Sequence, residues 1–389
     1  MKKFLLRFNW ASFLSMLGLI AIGAMALASA GGARDSVVFA SKWKSMLATA
    51  VFGMVLYFVL ALTDYRTVLS YLSAPAYVFA VIMLVLVLIV GTEQFGGKRW
   101  LWFFQPSEIS KLCIISFLAY FYGSREERFK GMFGFKGFIL GSILIGIPCL
   151  LILEEPDIGT TLKLIHAVLV ILLSAGVWRK GLIVLLIAGV MAMIAVLAAV
   201  YEAERPDVSN AKRESILKYV PLRPHQVERV KTFLFPETDT LDSGYNLRQS
   251  KMTIGAGGVS GKGYRKGESI RRELLPPMGI MNDFIFCVWA EEMGFVRGSL
   301  LLLALFSVLC FSVAWTSVVA SDMCGRLISL GMATLLFAHV YVNIGMSIGL
   351  VPITGLPLPF LSLGRTFLVT VMCGLGLVQS VSLHREDQS

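Results

Sequence analysis

Three short segments of this 389-residue chain combine residue types and spacings that can do chemistry. The first is NDFIFCVWAEEMG (282–294). Asp283 stands directly before an apolar run, where a carboxylate caps free helix N–H groups. A lone acid at a membrane–water boundary also suits proton abstraction from a substrate hydroxyl. Arg271 and Arg272 precede it, and Glu291 follows by eight residues, about 80° round a helix, so it can share that side. Capping and base chemistry both remain open.

The second segment is QPSEISK (105–111), which sets Glu108 and Lys111 at i,i+3 on one helix face, acid before base as the macrodipole prefers. Ionic groups inside a bilayer cost at least a few kcal/mol each, so this is either a self-neutralising structural pair or the lining of a polar cavity. Just upstream, GGKRW (96–100) places Lys98 and Arg99 where an anionic headgroup would arrive. The third segment, EEPDIGT (154–160), adds Glu154, Glu155 and Asp157 at another boundary.

Other features carry less. GAGGVSGKG (255–263) lacks a Walker A pattern, because Ala256 and Gly263 stand where a Gly and a Ser/Thr are needed. Flexible backbone at a surface or ligand groove accounts for it better. The six cysteines have no CxxC spacing and the four histidines no HExxH pair, so no His/Cys metal site is expected.

Positioning these groups falls to membrane helices. AVILMFWYC residues make up 56% of the chain and charged residues 15%; an ordinary soluble domain carries about 25% charged residues. The surplus apolar surface must face lipid. The chain therefore reads as an all-α polytopic membrane protein, a single domain over 1–389. About ten spans are expected, at 12–32, 46–63, 74–92, 105–123, 136–153, 161–177, 181–201, 298–319, 327–350 and 367–383. A helix over 283–296 leads into the eighth. Residues 1–30 imitate a cleavable signal peptide ending Ala28-Ser29-Ala30; the long apolar run favours retention as the first span.

Ten spans put both termini on one side. With that side cytoplasmic, the inner loops hold twelve Lys/Arg and the short outer loops six, as the positive-inside rule prefers. The net charge of +10 is read this way, with no nucleic-acid partner expected. The large loop, 202–282, then lies outside and is mildly basic. Within it, 215–235 has helix-like apolar spacing and either lies on the membrane surface or packs on its own domain.

Several motifs in order, KRW…FQPSEISK, EEPDIGT, DSGYNLRQSKMTIGAGGVSGKG, NDFIF…AEEMGF and VPITGLPLPFLS, resemble the SEDS (shape, elongation, division and sporulation) family over nearly the whole chain. The resemblance implies a ten-span inverting glycosyltransferase of the bacterial cytoplasmic membrane that polymerises lipid II, the lipid-linked peptidoglycan precursor, and releases undecaprenyl pyrophosphate. The family's catalytic Asp falls on Asp283, its intramembrane pair on Glu108 and Lys111, and its substrate-mouth Arg on Arg99. Asp157, Glu291, Arg271 and Arg272 join them as candidate substrate-binding residues. Short tails resemble the elongation branch. The stretch LLPPMGIMND departs from the family's LPExHTD-like pattern, and SLGRT (362–366) stands for SYGGS.

The resemblance further implies a class B penicillin-binding protein as transpeptidase partner. A divalent cation, Mg²⁺ or Mn²⁺, is expected to assist the departing pyrophosphate. Gly345, Ser347 and Gly349 in the ninth span would let a partner helix approach, or serve internal packing. The alternatives to an enzyme are a lipid II flippase and a non-catalytic scaffold.

Overall fold

In lipid, a single apolar segment satisfies its backbone groups internally by forming a helix, and this chain does so repeatedly. The computed structural model describes residues 2–32, 41–94, 97–102, 104–125, 134–155, 157–205, 208–220, 222–236, 243–272, 274 and 276–385. Arg34, Arg128 and Lys130 of the charge count, and Glu273 of the large loop, lie outside them.

A short helix α1 (Lys2–Arg7) precedes the long helices α2 (Trp10–Gly32), α3 (Lys42–Leu62) and α4 (Tyr65–Val90). An antiparallel pair, β1 (Thr92–Gln94) and β2 (Gly97–Trp100), leads to α5 (Pro106–Gly123), α6 (Gly134–Glu154), α7 (Ile158–Ser174) and α8 (Arg179–Ala203). The large loop carries α9 (Asn210–Leu217), α10 (Pro224–Leu234), α11 (Ser243–Ala256), α12 (Glu268–Arg271) and α13 (Pro277–Asn282). The last passes are α14 (Ile285–Gly294), continued by a π-helical segment Phe295–Leu300 into α15 (Leu301–Val319), then α16 (Met323–Ile348) and α17 (Arg365–Leu383).

Among the described residues, eight helical units are long and apolar enough to cross a bilayer, Ile285–Val319 counting as one. α5 and α7 supply the other two expected passes: α5 carries Glu108 and Lys111, and α7 is only 17 residues long. One expectation needs correction. The third span begins at Tyr65 rather than near 74, because Asp64 caps it by accepting from Arg66 N at 2.9 Å. The polar stretch with Arg66, Ser70, Ser73 and Pro75 hid that start. The helix expected over 283–296 forms as α14, ends at Gly294 (φ +74°), and leads through the π-helical segment into the eighth span.

α17 and α16 are central, with 83% and 67% of their apolar windows buried, whereas α8 is peripheral at 6%. α17 packs on α3, where Gly376 lies so close that a Cβ would stand 2.7 Å from Tyr57 O. α16 packs on both α5 and α7.

One face of the bundle gathers both ends of the described chain. Ser382 Oγ donates to Arg7 O at 2.6 Å, and Ser380 Oγ to Thr63 O at 2.6 Å. Arg66 Nε and Tyr65 OH both donate to Asp322 Oδ2 at 2.7 Å. The opposite face, here the loop face, carries the hairpin, the 204–284 connection and residues 349–364.

Candidate active site

α16 organises the loop face. His339 and Asn343 are buried on it at i,i+4, hence on one side. Asn343 Nδ2 donates to Asp283 O at 2.9 Å and to Leu356 O at 2.6 Å. Ser362 Oγ donates to Asn282 O and accepts from Leu358 N at 2.7 Å, while Leu363 N donates to Met281 O at 3.0 Å. The segment 351–364 is therefore stitched to the backbone that carries Asp283. Gly355, at φ +66°, lies against the carboxylate, its ideal Cβ position 3.4 Å from Asp283 Oδ2. Only a residue tolerant of positive φ can turn the chain there without strain.

Asp283 does not cap the apolar helix after it, contrary to one sequence reading. It closes α13, its N–H bonded to Gly279 O at 2.8 Å, and Phe284 occupies the N-cap of α14 with no side-chain cap. Among the described residues no side chain donates a hydrogen bond to its carboxylate. Half-buried, it is pushed by burial from 3.8 up to about 6, against an opposing pull from the Arg229 guanidinium. Arg229 reaches this place from α10, its Nη1 3.5 Å from Thr354 O.

Asn343 holds the backbone of Asp283 without touching its carboxylate, so it is a positioning residue. Asn343→Ala should lower kcat about tenfold or more with KM changed less than about twofold, and, because it strands two carbonyls, should also lower the melting temperature in detergent by a few degrees. Wild-type turnover in a folded variant would contradict this.

The intramembrane pair forms as its spacing suggested. Lys111 Nζ lies 2.7 Å from Glu108 Oε2, with side chains 1% and 4% exposed. Sequence reading missed what it joins. Lys111 Nζ is 3.2 Å from His339 Nε2, and Lys163 Nζ on α7 is 3.2 Å from His339 Nδ1. A neutral imidazole has one acceptor nitrogen, so only one lysine can donate to it. Phe367 stacks on His339 at 4.3 Å and lies under Lys111. Lys163 carried its own signal, a charge inside an expected span. Only folding brings together His339 and α5.

Arg99 Nε donates to Glu155 O at 3.0 Å. Asp157 caps α7, accepting from Thr160 N at 3.0 Å and Thr160 Oγ1 at 2.9 Å. Its own burial would raise its pKa, but Arg99, the Thr160 bonds and Lys163 hold it below 3.8. Glu155 is fully buried, neither oxygen hydrogen-bonded among the described residues, and is pushed up to about 9 by burial and then by Asp157. An acid whose folded pKa is raised contributes fully below its unfolded pKa and loses stability as pH rises from about 4.5 toward 9. Glu155→Gln should therefore raise the melting temperature at pH 8 by a few degrees and much less at pH 5; equal shifts at both would refute this.

The remaining nominated residues lie apart from Asp283's carboxylate. Glu291 is buried and occupied by the loop: it accepts from Lys262 Nζ at 2.8 Å, Glu268 N at 2.9 Å, and Ser269 N and Oγ. Arg272 pairs with Glu268 at 2.9 Å, and Arg271 donates to Arg265 O at 3.1 Å. The glycine run is a close-packed clasp rather than a flexible groove. A Cβ on Gly257 would stand 2.2 Å from Ala290 O, and one on Gly261, at φ +80°, 2.2 Å from Glu292 O. Phe295 N and Val296 N donate back to Gly258 O and Val259 O. In the ninth span, Gly345 faces Val351 and Gly349 is covered by Lys251 and Leu247, so both serve internal packing.

No group of three or more His, Cys, Asp or Glu among the described residues can hold a metal ion. Among the described residues, then, the chain offers no cage of its own for a resident cation.

A family model described as "Cell cycle protein" and labelled FtsW/RodA/SpoVE matches residues 5–387. The chain belongs to this SEDS family. It is 35% identical to the peptidoglycan glycosyltransferase MrdB of Escherichia coli K12 over 316 residues, 80% of this chain and 77% of that protein. Among solved structures, it resembles a component of a peptidoglycan synthase complex described as coordinating polymerization and crosslinking (TM-score 0.72, 28% identity, 98% and 99% of the two chains). It also resembles the rod shape determining protein RodA of Thermus thermophilus (TM-score 0.67, 25% identity, 98% of each). These SEDS proteins share the multi-pass helical membrane fold.

Proposed function

We propose that this chain is a peptidoglycan glycosyltransferase that polymerises lipid II during cell elongation. One observation carries the mechanism: Asp283 presents a half-buried carboxylate, with no side-chain donor among the described residues, on the face where α10 and segment 351–364 meet. It takes the proton from the acceptor sugar hydroxyl as that oxygen attacks the anomeric carbon of the lipid-linked chain. The anomeric carbon–oxygen bond breaks, configuration inverts, and undecaprenyl pyrophosphate leaves with the electron pair. An activated pyrophosphate needs little acid assistance, so one base suffices. Cationic side chains offset its developing charge. A divalent cation, Mg²⁺ or Mn²⁺, would supply further positive charge to the leaving pyrophosphate.

Both termini are assigned to the cytoplasm, which places Asp283 on the outer side. A class B penicillin-binding protein supplies crosslinking, a reading supported by the likeness to a synthase complex. A flippase reading is less well supported. Lys111 and Lys163 each lie five residues inside the loop-face end of their helices, about 8 Å deep, and His339 about 14 Å. These charges line the loop-face half rather than a path across the membrane.

The experiment is polymerisation of labelled lipid II by the purified protein, with and without its partner. The free enzyme needs Asp283 ionised, so kcat/KM should rise about tenfold per pH unit below about 6 and level off above it. An acid limb near pH 4 would assign the base role elsewhere.

A further inference from the structure

The cation that the fold places beside the reacting carboxylate is not one that the sequence nominated. Lys111 is buried and held by Glu108 and His339. Arg99 is drawn to the Glu155 corner, and Arg271 and Arg272 bond within the loop. Arg229 alone among the described charged groups acts on Asp283. The elements packed round Asp283 bear this out: α13 and segment 351–364 contain no charged residue, and α16 offers Asn343. Lys251 lies over Gly349 at the foot of that segment.

The bearing of α10 makes Arg229 a built feature. Arg223, at its N-cap, donates to Glu154 Oε2 at 3.1 Å, and Lys231 pairs with Glu204 at 3.4 Å. Six residues beyond Arg223, about 9 Å along the helix, Arg229 meets the Thr354 carbonyl, and the next residue, Gly355, abuts Asp283. The amphipathic stretch of the loop thus lies across the loop face, tied by ion pairs near both ends and packed on its own protein, with one guanidinium at the carbonyl next to the glycine that abuts the base.

We propose that Arg229 binds the pyrophosphate of the lipid-linked substrate beside Asp283. The proposal rests on the glycosyltransferase reading above. A guanidinium matches a phosphate's oxygens in a planar, bidentate fashion that an ammonium does not. Before substrate arrives, it stabilises ionised Asp283. When pyrophosphate arrives, Arg229 turns its charge to the ligand while the base accepts the hydroxyl proton.

The test uses purified full-length protein, with Arg229→Gln and Arg229→Lys. Binding of undecaprenyl pyrophosphate and undecaprenyl monophosphate is measured directly, without turnover. Wild type should prefer the pyrophosphate, and Arg229→Gln should lose about 10- to 100-fold in that affinity, the range for a lost charge-assisted hydrogen bond, with monophosphate binding changed less. Arg229→Lys should restore part of it. In polymerisation, Arg229→Gln should raise KM for lipid II and move the acid limb of kcat/KM to higher pH, because the charge that favours ionised Asp283 is gone. A folded Arg229→Gln protein that keeps the wild-type pyrophosphate preference overturns the proposal. Normal binding effects with no polymer from wild type would instead fault the glycosyltransferase reading and leave the phosphate site standing.

Discussion

Asp283→Asn should abolish all but about 1% of polymer formation, since a positioned general base contributes at least about 100-fold. The substitution is nearly isosteric. The bonds that hold this residue, from its own N–H to Gly279 O and from Asn343 Nδ2 to its carbonyl, engage only its backbone atoms and survive it. Expression, melting temperature and lipid II binding should therefore stay close to wild type, and only the proton-transfer step should fail. Glycan gel analysis of the purified variant decides the matter. Near-normal polymer from a folded Asp283→Asn protein would remove Asp283 from the base role.

The second large effect concerns Glu108 and Lys111. With both side chains almost wholly buried, removing either partner strands a charge and costs about 3–5 kcal/mol. Glu108→Gln and Lys111→Met should each lower the melting temperature steeply. The double variant leaves no stranded charge on α5 and should recover much of that stability. Its activity separates the roles: a folded but inactive double variant assigns the pair to the substrate cavity, and restored polymerisation assigns it to structure. Because Lys111 also meets His339, the double variant frees one imidazole nitrogen, so recovery should stay incomplete. Full recovery would mean that the His339 contact adds nothing.

Much of this arrangement is legible along the chain because it is local. Runs of about 20 apolar residues give the passes, and an i,i+3 spacing gives Glu108–Lys111. Helix starts are less legible: Asp64 begins α4 inside a stretch whose arginine, serines and proline look like a loop. Contacts between distant residues are not legible at all. Lys163 and His339 lie 176 residues apart, Asp283 and Asn343 60 apart, and apolar helices carry no periodic mark of the faces that meet. Arg229 was one of fourteen basic residues in the long loop, and only the docking of α10 distinguishes it. The glycine run misled in the other direction, since flexibility and close approach demand the same residue.

That clasp has a reach beyond the loop it belongs to. Gly261 and Gly294 meet where neither has room for a Cβ, just where α14 gives way to the π-helical segment. A π-helical turn holds more residues than an α-helical one, and each residue shifts the angular phase of an α-helix by about 100°. The segment therefore sets the rotation of α15 about its own axis. In the present phase Leu302, Phe306, Leu309 and Val313 point inward, while Phe311, Trp315 and Val318 are exposed on the bundle's surface. Removing one residue from 295–300 would turn a different stripe of α15 to the lipid. Because Gly258 O and Val259 O accept the first two N–H groups of that segment, the glycine loop helps to set which side chains this helix shows to the membrane.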